Sequence, residues 1–291
     1  MQPDGAPSGR RGDPRGPPWN PPTEEIMRIA TCNVNGIRAA ARKGMGDWIA
    51  AADADVLLFQ EVRAPDDLVP PLVGDAYETV SHACAIKGRA GVLVAVRKGL
   101  EIGGVRAGLA GDSHPADTGR WLEVDLPGPG LTVVSAYLHS GDASDREKMA
   151  LKYAHLESVT ARLAELSEAP GSLLVAGDFN VVRGPADIAN WKPNHNRTSG
   201  VLDPEIAYLD RWFGPDGYVD VQRALDPDSQ GPYTWWSQRG QAFARDVGWR
   251  IDYHLADPGL AGRAAGYRID RADSYETRFS DHAPLVVDYD A

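Results

Sequence analysis

The feature that most constrains the fold is a short apolar run that ends in two polar side chains. Residues 173–176 are apolar, and Gly177-Asp178-Phe179-Asn180 follows directly. A brief, branched run bounded by glycines predicts a buried strand. Residues two apart in a strand point to the same side, so Asp178 and Asn180 should emerge together at its carboxyl end. Open α/β sheets place ligands there, although a polar strand-to-loop exit without function would have the same pattern.

Other predicted strands end in polar side chains in the same way. Asn33 closes the run 26–33 and Asn35 follows two residues later, so both carboxamides can face one site. The run 55–60 is typical of a strand buried on both faces and delivers Glu61, either a solvated rim residue or a metal ligand. The remaining strand-end residues are Tyr137, Asp281, His282 and Asp252, the last within a strand predicted over 249–253. Together these strand ends predict one site.

The residue types at these ends favour a hard cation over zinc or a serine nucleophile. Ser280, Asp281 and His282 are consecutive and cannot align as nucleophile, orienter and base, and the sequence has no G-x-S-x-G elbow. It also has no H-E-x-x-H motif and no cysteine pair, which disfavours zinc. Oxygen ligands with few nitrogens suit Mg²⁺, with Mn²⁺ as an alternative. Such an ion beside carboxylates favours phosphoester hydrolysis.

Composition excludes several other classes of protein. Hydrophobic residues make up 43% and charged residues 24% of the chain, as in ordinary globular proteins. No apolar stretch approaches the roughly 20 residues that cross a bilayer, and the amino terminus lacks the apolar segment of a secretory signal. Cys32 and Cys84 are too few for a disulfide scaffold, so reduced thiols in the cytoplasm are expected.

Charge and the amino-terminal segment bear on nucleic-acid binding. The net charge of −11 weighs against tight, sequence-independent binding, although a local basic groove or a divalent metal could offset it. Residues 1–25 are rich in Pro, Gly and Arg and predict a disordered tail, because they bury too little to offset the entropy of ordering. Arginines in this tail could contact phosphates, or the tail is a solvated extension. Residues 26–291 are predicted to form one catalytic domain.

Two irregular segments, 183–200 and 233–248, carry aromatic, amide and basic side chains that suit a nucleic-acid backbone. Loops as long as the first are usually functional or disordered. The tryptophan pair at 235–236 is better explained by core packing than by stacking on bases. The candidate substrate contacts in these segments are Asn196, Arg197, Trp235 and Arg239.

Two helices are predicted from their first residues. Ser144 and Glu147 form a capping box at the start of a helix over 144–166, whose apolar residues recur at helical spacing. Lys152 lies on one flank of this helix, where a solvated face is the simplest interpretation. Asp203 is expected to cap a second helix, with a proline at the first helical position.

Six motifs in this order resemble the exonuclease III family of apurinic/apyrimidinic endonucleases, within the endonuclease/exonuclease/phosphatase superfamily. They are Asn33-Val34-Asn35-Gly36, Gln60-Glu61, Tyr137, Gly177-Asp178-Phe179-Asn180, Trp249-Arg250-Ile251-Asp252-Tyr253 and Ser280-Asp281-His282-Ala283-Pro284. The similarity runs from about residue 27 to residue 289. Motifs such as Gly-Asp-x-Asn also occur in the superfamily's lipid and inositol phosphatases, whereas segments 196–209 and 249–253 favour the DNA-repair branch.

The resemblance implies a four-layer α/β sandwich of two mixed β-sheets flanked by helices, with the site at one edge of the sheets. It implies Glu61 as the main metal ligand, with Asn33 and Asp281 close by. Asp178 would orient or deprotonate the attacking water. The other implied catalytic residues are Asn180 and Tyr137, which hold the scissile phosphate, and His282, which contacts it and is oriented by Asp252. The implied substrate-binding residues are Asn35, Lys152, Asn196, Arg197, Trp235, Arg239 and Trp249.

The sequence departs from this family's pattern after the tyrosine. The family usually has Tyr-x-Pro-Asn or Tyr-x-Pro-Gln, whereas here Tyr137 is followed by Leu138, His139 and Ser140. The missing amide leaves open whether Ser140 supplies a phosphate contact. Cys32 and the phenylalanine at position 279 also replace residues common in the family, which suggests a divergent branch with its own preferred substrate.

The resulting hypothesis is a Mg²⁺-dependent phosphodiesterase of base-excision repair, acting in the cytoplasm at the nucleoid as a monomer. Its expected partner is double-stranded DNA with abasic sites, cut on the 5′ side, or with 3′ ends, trimmed by 3′–5′ exonuclease action. One alternative is a superfamily phosphatase or phosphodiesterase on a small or lipid phosphate ester. The other is a DNA-binding relative that has lost catalysis, which the complete set of acids and the histidine disfavours, since unneeded buried acids are costly.

Overall fold

The computed structural model describes residues 26–111 and 114–290, so the predicted tail, residues 1–25, lies outside the described residues. The strands are β1 (Ile26–Asn33), β2 (Val56–Gln60), β3 (Tyr77–His82), β4 (Val92–Arg97), β5 (Val105–Ala107), β6 (Trp121–Leu126), β7 (Leu131–Tyr137), β8 (Ser172–Asp178), β9 (Val219–Asp220), β10 (Trp235–Trp236), β11 (Gly248–Trp249), β12 (Asp252–Ala256), β13 (Ala264–Ile269) and β14 (Leu285–Asp290). The helices are α1 (Ile37–Arg42), α2 (Met45–Ala52), α3 (Pro70–Val73), α4 (Arg146–Ser167), α5 (Trp191–Asn194), α6 (Asp203–Trp212), α7 (Val221–Leu225) and α8 (Pro258–Ala261).

Two six-stranded mixed sheets form the centre of the fold. The first has the strand order β13-β14-β1-β2-β4-β3, in which β1 and β2 are parallel. The second has the order β5-β6-β7-β8-β12-β9, in which β7 and β8 are parallel. The other pairs within the two sheets are antiparallel. Among the described residues, β10 and β11 make a separate two-stranded ribbon.

Side chains on the two faces of each sheet enter different parts of the core. On β1, Ile29 packs between the sheets whereas Ala30 packs with residues of α1 and α2. On β8, Leu174 packs toward the first sheet and Val175 packs with residues of α4 and α6. Successive side chains along a strand lie on opposite faces of the sheet. Both faces of each sheet are therefore apolar. The result is the four-layer sandwich that the resemblance implied.

Strand register brings three functional candidates to one edge of the second sheet. Tyr137 at the end of β7 pairs with Asp178 at the end of β8. Asp178 pairs in turn with Asp252 at the start of β12. These strand partners lie side by side because adjacent strands are only about 4.8 Å apart. Side chains that are distant in sequence therefore meet at this edge.

The first sheet ends at the same place. Asn33 at the end of β1 pairs with Gln60 at the end of β2, and Glu61 follows. Across the gap between the sheets, Gln60 Nε2 donates a hydrogen bond to Ser135 Oγ on β7 at 3.1 Å. The buried amide of Gln60 thus joins the two sheets just below the predicted site.

The predicted capping box of the long helix is wrong by one residue. Helix α4 begins at Arg146, and its N-cap is Asp145, whose Oδ1 accepts hydrogen bonds from the backbone N–H of Glu147 and Lys148. The Ser144 hydroxyl instead donates to Asp142 Oδ1 at 2.7 Å. The carboxylate of Asp145 is better placed to cap because it is adjacent to the helix start and favours the positive end of the helix dipole.

The second predicted cap is also shifted. Helix α6 begins at Asp203 itself, with Leu202 as the N-cap residue. The Asp203 carboxylate is occupied by His195 Nε2 and by Asn196 Nδ2, at 2.5 and 2.7 Å. The Glu205 Oε2 atom accepts from the backbone N–H of Leu202 at 3.1 Å. Glu205, at the third position of the helix, therefore takes part in the cap that was predicted for Asp203.

The single strand predicted over 249–253 is interrupted. Trp249 ends β11 and Asp252 begins β12, in a different sheet. Between them lies Arg250, fully buried, whose Nε donates to Asp187 Oδ1 at 2.7 Å and whose Nη1 and Nη2 donate to Asp220 at 2.9 and 2.7 Å. This buried ion cluster fixes the chain where it crosses from the ribbon to the sheet.

In residues 26–111 and 114–290, none of the helices combines the length and the apolar composition needed to cross a bilayer. The longest, α4, has 22 residues and carries many charged side chains.

We expect Arg250→Gln to lower the free energy of unfolding by about 3–5 kcal/mol at pH 7, because it removes the buried cation that Asp187 and Asp220 share. Burial opposes ionisation of Asp187, but Arg250 and Arg223 outweigh it and hold the pKa of Asp187 below 3.8. A carboxyl group whose pKa is lowered by folding stabilises the fold above its unfolded pKa and loses that contribution as pH falls through the folded value. The difference between variant and wild type should therefore shrink below about pH 3.8.

Urea unfolding at several pH values measures this difference. Arg211→Gln is the matched control, because the Arg211 side chain is 53% exposed and pairs with Asp216 at the surface. It should change the free energy of unfolding by less than about 0.5 kcal/mol. An Arg250→Gln variant as stable as that control would contradict the role given to the cluster.

Candidate active site

A polar pocket opens at the edge where the two sheets end. It draws its lining from both sheets, from the loop after β7 and from the ribbon. The predicted site residues that line it are Asn35, Glu61, Tyr137, Asp178, Asn180, Arg197, Trp235, Trp249, Asp281 and His282. The strand-end residues that sequence reasoning grouped together therefore share one cavity, except Asn33 and Asp252, which lie behind its lining.

Glu61 is held by hydrogen-bond donors from both sheets. Its Oε1 accepts from Asn33 Nδ2 at 3.0 Å and from the Tyr137 hydroxyl at 2.6 Å. Its Oε2 is paired with the Arg63 guanidinium. These three contacts fix the direction of the carboxylate, which suits a metal ligand better than a solvated rim residue.

Asn33 joins the two acids of the pocket. Its Nδ2 donates to Glu61 Oε1 at 3.0 Å and to Asp178 Oδ2 at 2.9 Å, and its Oδ1 accepts from the backbone N–H of Asn35 at 3.0 Å. A metal ligand must offer oxygen, and here the amide nitrogen faces the acids. In this orientation Asn33 is a hydrogen-bond bridge between Glu61 and Asp178.

Four non-glycine residues of the pocket lining have a left-handed backbone. The φ angles are 47° for Asn35, 50° for Glu61 and Arg63, and 52° for Asn180. Asparagine tolerates this region, but a glutamate there is uncommon. Such conformations persist where surrounding contacts hold them and are frequent at functional sites. At Glu61 the three side-chain partners on Asn33, Tyr137 and Arg63 provide those contacts.

Asp178 is buried at the end of β8 and has an unusual acidity. Burial is the main cause that raises its pKa to about 7, and the charges of Asp252 and Glu61 add to it, while His282 and Asn33 oppose it. Its Oδ1 accepts from the Asn180 backbone N–H at 2.9 Å. A carboxylate with a pKa near neutrality can accept a proton from water at physiological pH.

Gly177, just before this aspartate, allows the strand to end where it does. A Cβ at position 177 would overlap the carbonyl oxygen of Ala136 on the neighbouring strand β7. Only glycine permits this close approach of β7 and β8, which sets Asp178 beside Tyr137.

His282 and Asp252 form a buried ion pair facing Asp178. His282 Nδ1 lies 2.8 Å from Asp252 Oδ2, and its Nε2 lies 3.7 Å from Asp178 Oδ2. Burial opposes the charged imidazolium, but Asp252 and Asp178 outweigh it and raise the pKa of His282 to about 10. The histidine is therefore a cation at neutral pH, with Nε2 turned toward the pocket.

Asp281 adds a second carboxylate on the side of the ribbon. Its Oδ1 accepts from Asn35 Nδ2 at 2.8 Å, and its Oδ2 accepts from Trp235 Nε1 at 3.3 Å. Burial opposes ionisation of Asp281, but His282 and the donors Asn35 and Trp235 lower its pKa. Asp281 is thus an ionised oxygen donor in the same pocket as Glu61.

The sequence matches the Endonuclease/Exonuclease/phosphatase family over residues 30–282, a range that includes every pocket residue described above. The chain belongs to this family. An exodeoxyribonuclease of Bacillus subtilis (strain 168) is 29% identical over 262 residues, which cover 90% of this chain and 98% of that protein.

Solved structures of similar proteins agree with the family assignment. An AP endonuclease from Archaeoglobus fulgidus is 28% identical, with a TM-score of 0.78, and the match covers 91% of this chain and 100% of that one. A 3′ phosphatase from Neisseria, solved with a product DNA hairpin, is 26% identical, with a TM-score of 0.80 and the same two coverages, 91% and 100%. The resemblance to exonuclease III type nucleases, the fold and the metal-dependent enzyme class are confirmed.

The donors in the pocket fit the metal that this family requires. Glu61 and Asp281 supply carboxylate oxygens, and neither sulfur nor a second histidine lies in the pocket lining. Such a donor set suits a hard divalent cation. The carboxyl groups of Glu61 and Asp281 lie beside the buried Asp178, and a divalent cation would compensate this concentration of acidic groups.

Lys152 lies beneath the pocket and does not line it. The side chain is fully buried, and its Nζ pairs with Glu205 Oε1 at 2.7 Å. It also donates to the carbonyl oxygens of Ser140 and Asn180, at 3.2 and 3.1 Å, and to Ser199 Oγ at 3.2 Å. The predicted solvated face is wrong, and the lysine holds together the loops that form the pocket wall instead of contacting a substrate directly.

Four other predicted site residues do not line the pocket. Asn33 and Asp252 lie behind the lining and act through Glu61, Asp178 and His282, as described above. Asn196 is bonded to Asp203, and Arg239 is exposed at the ribbon; neither side chain lines the pocket. Of the tryptophan pair, Trp235 lines the pocket, whereas position 236 belongs to the core between the sheets.

Sequence reasoning missed two contributors. Arg63, two residues after Glu61, lines the pocket and pairs with that acid. Glu205, fully buried, is the partner of Lys152 and was not singled out. Arg63 could have been found by its position after a polar strand end. Glu205 had no signal, because its partner lies 53 residues earlier and burial of the pair is a tertiary property.

We expect Asp252→Asn to lower the pKa of His282 from its value of about 10, because the main opposite charge that stabilises the imidazolium is removed. The measurement is NMR titration of the His282 ring resonances in the metal-free protein. Asp270→Asn, in which the altered side chain is paired with Arg268 and Trp48, is the control and should leave the His282 titration unchanged. An unshifted His282 in Asp252→Asn would contradict the assigned ion pair.

Proposed function

We propose that the protein is a Mg²⁺-dependent DNA phosphodiesterase of base-excision repair, which cleaves 5′ to abasic sites and acts on 3′ ends. The observation that carries this proposal is the linked set of ionised or titratable groups in one pocket, Asp178, His282 and Glu61. It offers a proton acceptor, a cation for a phosphate oxygen and a metal ligand within one cavity. The names of the similar proteins, an exodeoxyribonuclease, an AP endonuclease and a 3′ phosphatase, support DNA as the substrate.

The residues that would hold the metal are Glu61 and Asp281. When bound, the ion supplies a positive charge that stabilises the negative charge developing on the scissile phosphate. Tyr137 and Asn33 hold Glu61 in place through their hydrogen bonds. Asn35 holds Asp281 in the same way.

The chain's own residues perform the remaining steps. Asp178, with a pKa near 7, accepts the proton of the attacking water as the water oxygen bonds to phosphorus and the bond from phosphorus to the 3′ oxygen breaks. The departing 3′ oxygen takes up a proton from solvent water. His282, held as a cation by Asp252, donates through Nε2 to a phosphate oxygen. Asn180 Nδ2 donates to the carbonyl oxygen of Leu138 at 3.0 Å, which fixes the amide beside the site where the phosphate would bind.

The DNA duplex would be held by the loops around the pocket. Arg197 lines it from the predicted segment 183–200 and Trp249 lines it from the end of β11, and Trp235 packs edge-on against Trp249 with ring centroids 5.4 Å apart. Arginine contacts to phosphates supply affinity without reading sequence. The cytoplasmic, nucleoid-associated location and the monomeric state remain part of this proposal.

The central test uses a duplex oligonucleotide with one abasic-site analogue, incubated with Mg²⁺ or with EDTA. We expect metal-dependent nicking at the lesion, and a loss of about 10²–10⁴-fold in rate for Asp178→Asn, which removes the proton acceptor. The matched control is Asp187→Asn, another buried acid, paired with Arg250 outside the pocket; its remaining folded fraction should keep the wild-type rate.

The same reaction separates the alternatives. An undamaged duplex and a duplex with a 3′-phosphate are assayed alongside. Trimming or dephosphorylation without nicking would make 3′ ends the substrate and would contradict the abasic-site activity. Cleavage of neither DNA, together with hydrolysis of a small phosphate ester, would favour the phosphatase alternative. Lesion binding that survives without metal and yields no product would favour a relative without catalysis.

A second test concerns the DNA contact predicted for Arg197. Arg197→Gln should weaken duplex binding and reduce the slope of log K against log salt concentration by about 1, as expected for one lost phosphate contact. Arg239→Gln is the matched control, because Arg239 is equally an exposed arginine but does not line the pocket. Fluorescence anisotropy in EDTA measures both. Equal effects of the two substitutions would contradict the placement of the duplex over the pocket.

A further inference from the structure

A second cluster of metal-ligating side chains lies outside the active site. It consists of Asp117, at the end of a short 3₁₀ turn, His139, two residues after β7, and His155, on α4. One ligand atom from each residue lies within 4.8 Å of the others. None of the three lines the catalytic pocket. Three chain segments that are distant in sequence therefore present two imidazoles and one carboxylate to a common point.

The buried ring nitrogens of His155 indicate that a ligand is missing from this cluster. It is only 3% exposed, and both Nδ1 and Nε2 are buried with no hydrogen-bond partner among the described residues. A buried polar atom without a partner costs about 1–3 kcal/mol, so native proteins satisfy nearly all of them. A neutral imidazole always has one nitrogen with a lone pair, which a cation can bind. A leucine at this position would fill the apolar face of α4 without burying a polar atom.

The other two residues are arranged around His155. His139 Nε2 lies 2.9 Å from Asp117 Oδ1, and the rings of His139 and His155 meet edge to face with centroids 5.1 Å apart. A carboxylate and two imidazoles therefore face one another in the folded chain.

We propose that Asp117, His139 and His155 form a binding site for one divalent transition-metal ion of the zinc type. Two histidines and one carboxylate are three of the four ligands of a tetrahedral zinc site, and water would complete the shell. Imidazole nitrogen favours Zn²⁺ and its neighbours over Mg²⁺, which prefers oxygen. The site is therefore chemically distinct from the oxygen-lined centre around Glu61 and Asp281.

The surroundings of the site indicate what bound metal would do. His139 is followed by residues 140–144, which form one wall of the catalytic pocket. His155 belongs to α4, the helix that carries Lys152 beneath that wall. The Arg120 guanidinium, which donates to the carbonyl oxygen of Ala116 at 2.6 Å, lies over the Tyr137 ring at 4.7 Å. A metal would tie the turn, the wall and the helix together and fix the loop between Tyr137 and the pocket.

The test is a titration of the full chain with Zn²⁺ against a competing chromophoric chelator, in excess Mg²⁺ to fill the catalytic centre. An Asp281→Asn background removes a carboxylate of that centre and weakens Zn²⁺ binding there, and adding His155→Gln then shows whether the remaining Zn²⁺ lies in the proposed cluster. We expect one equivalent of bound Zn²⁺ in this background, and at least about tenfold weaker binding when His155→Gln is added. Co²⁺ should give the visible absorption of a tetrahedral site only where His155 is present.

The matched control is His254→Gln. His254 is also fully buried, with its Nε2 unpartnered among the described residues, but it lies outside the cluster. Its substitution should leave Zn²⁺ binding unchanged. Equal binding by His155→Gln and His254→Gln, or no bound equivalent in the Asp281→Asn background, would overturn the proposal.

A second variant guards against loss of folding. Asp117 lies half-buried on a surface turn, so Asp117→Asn should fold even if His155→Gln does not. Zn²⁺ in excess Mg²⁺ should raise the Tm of the wild type and of His254→Gln, since a ligand that binds only the folded state stabilises it. The rise should be smaller in Asp117→Asn. The same rise in Asp117→Asn as in the wild type would place the bound Zn²⁺ elsewhere and contradict the site.

Discussion

The hydrogen bonds from Asn33 Nδ2 to Glu61 and Asp178 join the two sheets at the point where both end. The site depends on this junction, because Glu61 comes from one sheet and Asp178 from the other. The junction is possible because strand register places Asn33 beside Gln60 and Asp178 beside Tyr137. A slip of one residue in either sheet would turn these side chains to the opposite face and separate the acids.

Concentrating acids in a buried pocket has an electrostatic cost that the surrounding structure offsets. The Asp252 carboxylate is neutralised by the His282 imidazolium, and Glu61 by Arg63. Asp178 has no such dedicated cation, and its pKa rises to about 7. Beneath the pocket, the buried pair of Lys152 and Glu205 supports the wall without entering it. The paired charges thus stabilise the fold, whereas the carboxyl group of Asp178 can gain or lose a proton near neutral pH.

Much of the fold and most of the pocket could be predicted from particular residues. Polar side chains at the ends of apolar runs identified Asn33, Glu61 and Asp178 without any knowledge of the sheets. The errors came where a neighbour's side chain decided the outcome. Asp145 replaced Ser144 as the cap of α4, and the ion cluster at Arg250 broke a run that looked like one strand. Such contacts involve partners up to 63 residues away, which local pattern does not specify.

The sequence by itself determined the strands, the ordered motifs and the oxygen-rich chemistry at the strand ends, because periodicity and residue type are local properties. Only the tertiary structure decided which of these side chains meet. It placed Lys152 under the pocket, left Arg239 outside it and turned the amide nitrogen of Asn33 toward the acids. It also brought His139 and His155 together with Asp117, although their spacing matches no metal motif. Burial and distance follow from packing of the whole chain, so no stretch of sequence alone contains them.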